Sequence, residues 1–113
     1  MNHSNETLQT TLATGTERER REAFDFILNK SGWSEMAIRY VVKRGGAYED
    51  GEEVLSDALY FFDRNIREGN YNSDGNLEAY FINIVARQWL KRLAKIRRRK
   101  VLFDLFVWKQ QSD

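Results

Sequence analysis

Residues 77–100 read LEAYFINIVARQWLKRLAKIRRRK, and this stretch decides the fold class. It contains neither Gly nor Pro, and its apolar residues recur at spacings of three and four, the period of one helix face. Asn76, just before it, is a favoured N-cap residue. The pattern predicts one long helix over 79–100. Its buried stripe is predicted to contain Phe81, Ile82, Val85, Trp89, Leu93 and Ile96.

The rest of the chain also favours helices. There is no Pro, the seven Gly separate segments of helical length, and no segment alternates apolar and polar residues as a half-buried strand does. Thr16 and Glu19 form a capping-box pattern at the start of a helix predicted over 17–30. Two further helices are predicted, one from Ser34 to Arg44 and one that begins between Asp50 and Glu52.

The length of 113 residues indicates one domain. The predicted fold is all-α, a single compact bundle of about four helices over 17–100. The Ser-, Thr- and Asn-rich residues 1–16 are predicted to form a flexible arm. Residues 101–113 are predicted to be an apolar tail, either a short C-terminal helix or the start of a linker.

Charge is concentrated near the end of the long helix. Residues 87–100 hold eight of the 18 Lys and Arg and no acid, so the ten other basic residues and all 17 acids leave the rest of the chain at −7. A polar ridge along the helix is predicted from Asn83, Arg87, Lys91, Lys95 and Arg98, which lie about one turn apart. Such a ridge suits a phosphate backbone, although a solvated helix face explains the charge equally well.

Several classes of site are excluded or disfavoured. The absence of Cys excludes disulfides, zinc fingers and thiol catalysis. The one histidine, His3, lies in the predicted arm, and no nucleophile stands beside a base. We therefore expect no enzyme activity, no metal and no cofactor. No apolar run is long enough to span a bilayer and no signal peptide is evident, which favours the cytoplasm.

From about residue 45 to 100 the chain resembles region 2 of bacterial sigma factors, especially the extracytoplasmic-function type. Residues 52–62, EEVLSDALYFF, match the family's acidic opening and aliphatic-aromatic helix, and a variable loop follows. LEAYF at 77–81 resembles the start of the next family helix, which continues to Lys100. The chain departs from the family at Ser56, where Gln is common. The second helical domain that family members carry is not among the 113 residues.

The resemblance implies partners and site residues. The helix at 52–62 is expected to bind the coiled-coil of the largest subunit of core RNA polymerase, through Glu52, Glu53, Ser56 and Asp57. The loop at 64–76 is expected to read a flipped base of the promoter minus-ten element, through Tyr71, Asn72 and Asn76. The helix at 77–100 is expected to hold the non-template strand through Asn83, Arg87, Gln88, Lys91, Arg92 and Lys95. Tyr80 and Trp89 are predicted to be core residues.

The expected function is therefore that of a sigma-factor-like domain that binds core polymerase and melts the minus-ten element. Two alternatives stay open. One is a generic nucleic-acid-binding helical domain with no affinity for polymerase. The other is a protein-interaction bundle whose basic helix meets an acidic partner, such as an anti-sigma protein.

Overall fold

The computed structural model describes residues 4–71 and 75–111, and every regular element within these ranges is helical. The all-α prediction is confirmed. There are five α-helices in the described residues, where about four were expected. They are α1 (Asn5–Thr14), α2 (Glu17–Asp25), α3 (Trp33–Lys43), α4 (Tyr48–Arg67) and α5 (Leu77–Gln111), with a π-helical turn (Phe26–Lys30) after α2.

The first helix lies within the segment that was predicted to be a flexible arm. The Ser4 hydroxyl caps it by accepting a hydrogen bond from the Thr7 N–H at 3.2 Å. Leu8 and Leu12, one turn apart, are 7% and 0% exposed in the common core. The arm prediction was therefore wrong for residues 5–14, because two leucines at helical spacing anchor an otherwise polar segment. His3 lies outside the described residues.

The predicted capping box at the start of α2 is confirmed. The Glu19 N–H donates to the Thr16 hydroxyl at 3.2 Å, and the Thr16 N–H donates to the Glu19 carboxylate at 3.0 Å. The helix is not regular to residue 30, because its last turn is π-helical. Gly32, at φ 77°, is the N-cap of α3, two residues before the predicted cap Ser34.

Two glycines allow close contacts around the start of α4. A Cβ on Gly51 would lie 3.0 Å from the Ile38 Cα, so α3 and α4 approach almost backbone to backbone at that point. A Cβ on Gly46 would lie 2.9 Å from the Trp89 ring. The turn between α3 and α4 therefore rests directly on α5. The helix itself begins at Tyr48, slightly earlier than predicted.

The stripe of α5 is buried only in its first half. Phe81, Val85 and Trp89 are buried as predicted, and Leu93 is half-buried. Ile96, predicted to be buried, is 36% exposed, because α5 has by then passed the end of the bundle. Residues 101–111 continue α5 and do not form a separate helix. No helix in the described ranges is long and apolar enough to cross a membrane.

Candidate nucleic-acid interface and acidic face

A row of polar and cationic side chains follows the solvent side of α5. We call it the cationic ridge, and it is formed by Asn83, Arg87, Lys91, Lys95 and Arg98, all of them exposed. The row extends for about 22 Å along the helix axis. No carboxylate of the described residues forms an ion pair with any of its four cations, so these residues leave its positive charge unneutralised. Lys91 lies 5.5 Å from the centre of the Phe61 ring, a weak contact that leaves its ammonium group in solvent.

Arg92, predicted to contact DNA, lies off this ridge at the contact between α4 and α5. Its Nε donates to Asp50 Oδ1 at 2.7 Å, and its Nη1 donates to Glu53. Arg92 was expected to bind DNA and Glu53 to bind polymerase, yet their side chains form an ion pair with each other. We assign Arg92 to holding α5 against the start of α4. Gln88, one turn earlier, is half-buried on the same side.

Asp50 joins this ion pair to the cap of α4. Its Oδ2 accepts the Ala47 N–H at 2.8 Å, and its Oδ1 accepts from Arg92. The pKa of Asp50 therefore lies below its ordinary value, first because of the Ala47 N–H and second because of Arg92. The pKa of Arg92 is raised, chiefly by its hydrogen bond to Asp50.

These contacts predict a loss of stability in acid. Because the folded pKa of Asp50 is below the unfolded value of about 3.9, its stabilisation is complete above that pH and is lost as the pH falls through the folded pKa. Asp50→Asn should lower Tm at pH 7, and the gap to wild type should close below about pH 4. Thermal unfolding of both proteins at a series of pH values from neutral to acidic measures this difference in Tm. The control is Asp57→Asn, because the Asp57 side chain is exposed and forms no ion pair with any described residue. A gap that does not change with pH would contradict the assignment.

A pocket of about 390 Å³ lies where the α4–α5 loop meets the first turn of α5. Its lining includes three of the residues predicted to bind DNA, Tyr71, Asn76 and Asn83, and it also includes Tyr80. The Tyr71 hydroxyl donates to the Gly75 carbonyl, and its ring centroid lies 5.0 Å from that of Tyr80. The pocket therefore has two neighbouring aromatic rings and three side-chain amides, those of Asn70, Asn76 and Asn83. Asn72, also predicted to bind DNA, lies outside the described residues.

The start of α5 is held by two asparagines. Asn76 Oδ1 accepts the Glu78 N–H at 2.8 Å, which confirms the predicted cap. Asn5 Oδ1 in α1 accepts the Leu77 N–H at 2.8 Å, and Asn5 Nδ2 donates to the Gly75 carbonyl at 3.4 Å. The N-terminal helix thus fixes both the pocket rim and the start of the ridge.

The exposed side of α4 is acidic. We call it the acidic face, and it comprises Glu49, Glu52, Glu53, Ser56, Asp57 and Tyr60, all of them exposed and close to one line along the helix. All four residues predicted to bind polymerase belong to it. Apart from Glu53, its carboxylates form no ion pair within the described residues. The Arg92–Glu53 ion pair marks its border with α5.

Several residues of these surfaces were not predicted as site residues from the sequence, among them Tyr60, Tyr80 and Asn5. Tyr60 is 63% exposed within the acidic face, and its position one turn after Ser56 was the available signal. Tyr80 was expected in the core, and it does contact the core while also lining the pocket. No local signal pointed to Asn5. The described residues contain no group of acidic, His or Cys side chains that could hold a metal ion.

Comparisons of the chain with protein-family models, with curated proteins and with solved structures gave no significant match. Function is therefore inferred from these surfaces and from the residue pattern of 45–100.

Proposed function

We propose that this chain is a sigma-factor-like domain that binds core RNA polymerase through its acidic face and holds opened promoter DNA on its cationic ridge. One observation carries the proposal: an unneutralised row of cations on α5 leads to a pocket with two tyrosines. The resemblance of residues 45–100 to sigma region 2 supports the same assignment. No covalent chemistry is required of the chain, and its place of action is the cytoplasm.

On the DNA side, the ridge binds phosphates and the pocket takes a base. Asn83 lines the pocket and also begins the ridge, so a single strand can follow Arg87, Lys91 and Lys95 while one unstacked base turns inward. Stacking on Tyr71 or Tyr80 is worth roughly 1–3 kcal/mol per base. Because duplex DNA cannot make this contact, binding favours the melted state of the minus-ten element.

On the protein side, the acidic face suits a basic surface such as the coiled-coil of the largest polymerase subunit. Glu52 and Asp57 attract and orient such a partner. Tyr60 supplies an aromatic anchor among the charges, the type of residue that dominates interface energies. The face and the ridge lie on adjacent helices, so one molecule can bridge polymerase and the non-template strand.

Capture of core polymerase tests the proposal. Immobilised wild-type chain should retain bacterial core enzyme, and Glu52→Lys/Asp57→Lys should reduce retention at least tenfold because it places cations opposite a basic partner. Glu52 is chosen over Glu53 because reversing Glu53 would also break its ion pair with Arg92. Retention is measured by quantifying bound enzyme over a concentration series.

The matched control is Glu22→Lys/Glu68→Lys, which makes the same charge change at exposed surface ion pairs of little energetic value. It should bind polymerase like wild type. If wild type retains no polymerase yet binds single-stranded DNA, the generic nucleic-acid-binding alternative is correct. Equal loss in both double variants would indicate a net-charge effect and would contradict a docking role for the acidic face.

A further inference from the structure

The second half of α5 extends from the bundle as a bare helix. We call residues 97–111 the α5 extension. Every side chain in it is exposed except that of Val107, which is half-exposed. Its exposed apolar residues include Phe103 at 65%, Phe106 at 59% and Trp108 at 67%. From 101 to 108 every residue except Asp104 is apolar, and a helical segment this apolar is normally covered, yet these side chains face solvent.

The extension continues the pattern of the buried part of α5. Starting from the buried Val85 and Trp89, the same helix face passes through Arg92 and Ile96 and then along the extension. Positions on this face alternate in steps of three and four, the spacing of a coiled-coil seam. Within the extension, the residues on this face are Arg99, Phe103, Phe106 and Gln110, and Leu102 lies beside them. Inside the bundle this face packs on other helices, and beyond Ile96 it has the form of a helix-pairing surface without its partner.

We infer that this surface pairs, antiparallel, with the α5 extension of a second copy of the chain. In the paired state Phe103 of each copy packs against Phe106 of the other, around the two-fold axis. Arg99 then lies opposite Gln110 of the other copy. The inference concerns self-association and does not depend on the function proposed above.

Charge selects the antiparallel orientation. Arg97, Arg98, Arg99 and Lys100 are consecutive, so they surround one full turn of the helix with cations. A parallel pair would set two such turns side by side and place Arg99 against Arg99 within the seam, which costs energy. The antiparallel pair separates the two cationic turns and places each beside Lys109, Gln110 and Gln111 of its partner, so that each turn meets one cation instead of four.

The area available is adequate for a weak dimer. An aromatic side chain buries roughly 150–250 Å² when fully covered, and four phenylalanines meet at the proposed axis. With Leu102 of both copies, pairing would remove on the order of 1,000 Å² of surface from water, the low end of specific interfaces. The extension is about 22 Å long, and its tip, Gln111, would lie opposite Arg98 of the partner, just beyond the end of the partner's bundle.

That end of the bundle is also apolar. The turn between α3 and α4 lies beside Trp89 and Arg92, between one and two helical turns before the extension begins. Val42 and Tyr48 at this turn are 46% and 58% exposed. In the proposed register Trp108 of one copy lies opposite Val101 of the other, so it packs along the partner's extension and this patch stays uncovered.

Sedimentation equilibrium at concentrations up to about 200 µM, far above a micromolar Kd, tests the association. Wild type should show the mass of two or more chains, and Phe103→Glu/Phe106→Glu should remain monomeric. Tyr60→Glu, an equally exposed aromatic on the bundle, should associate like wild type. A monomeric wild type would overturn the inference, and so would a double variant that still associates. Binding of a monomeric wild type to phosphatidylglycerol vesicles would identify a lipid surface as the occupant instead.

Disulfide trapping tests the orientation, because the chain has no cysteine of its own. A disulfide requires Cα atoms within about 7 Å. Arg99→Cys and Gln110→Cys chains should cross-link when they are mixed, whereas in either one alone the two cysteines lie about 16 Å apart along the pair. Self-cross-linking of each single variant would overturn the antiparallel arrangement.

Discussion

Arg87→Ala/Lys91→Ala is expected to weaken binding to a non-template single strand at least tenfold and to flatten its salt dependence. Both side chains are exposed on the cationic ridge, and neither forms an ion pair among the described residues. Each lost phosphate contact should reduce the slope of log K against log salt by about 0.7 for single-stranded DNA, so the pair should reduce it by about 1.4. Fluorescence anisotropy of a labelled strand and of a fork-junction duplex, at several salt concentrations, measures both quantities.

A matched variant separates this local effect from net charge. Lys30→Ala/Lys43→Ala removes the same charge from exposed positions outside α5, and it should leave affinity and salt slope near wild type. Capture of core polymerase should be unchanged in both variants, since the acidic face is intact. DNA binding that is unaffected by Arg87→Ala/Lys91→Ala would remove the role assigned to the ridge. An equal loss of DNA affinity in the two variants would show that the interaction is only non-specific electrostatic attraction.

Arg92 is expected to behave differently from its neighbours on the same helix. Its guanidinium is engaged by Asp50 and Glu53, so its removal leaves a half-buried carboxylate without its partner. Removal of the Arg92 side chain is therefore expected to reduce folding stability first and DNA affinity only second. Spacing along α5 could not distinguish Arg92 from Lys91, because the difference lies in which helix packs beside each of them.

Local signals predicted the local features of this fold well. The capping box of Thr16 and Glu19 and the cap at Asn76 are two-to-four-residue patterns whose geometry needs no other helix, and both formed as expected. The exposed positions of the ridge follow from helical period alone. The residue at which the buried stripe ends does not follow from helical period, because burial of Ile96 depends on how far the other helices reach along α5.

The N-terminal helix shows the same limit more clearly. Leu8 and Leu12 were available as a signal, but two apolar residues in a polar segment are weak evidence for a helix until a core is there to receive them. The hydrogen bond from Leu77 to Asn5 joins residues 72 positions apart in sequence. No local pattern encodes such a contact, although it fixes the rim of the candidate base pocket.

Phe62→Ala is expected to have the largest effect on stability, about 3–5 kcal/mol, as for other buried phenylalanines. The Phe62 side chain is fully buried. Its ring centroid lies 5.7 Å from that of Trp33 in α3 and 5.6 Å from that of Phe81 in α5, both edge-to-face. At roughly 4–8 °C per kcal/mol for a domain of this size, Tm should fall by about 12 °C or more, measured by circular dichroism.

The same ring links stability to the proposed interfaces. Phe62 lies in α4, the helix of the acidic face, and it contacts Phe81 and Tyr80 in α5, the helix of the ridge and pocket. Phe62→Ala should therefore lower polymerase capture and DNA binding together. Each should fall only in proportion to the loss of folded protein. Phe62→Leu, which keeps most of the volume, should recover part of both, and Tyr60→Ala should leave Tm nearly unchanged because that ring is exposed. A Phe62→Ala protein with wild-type Tm would show that α3, α4 and α5 are not held by this aromatic cluster.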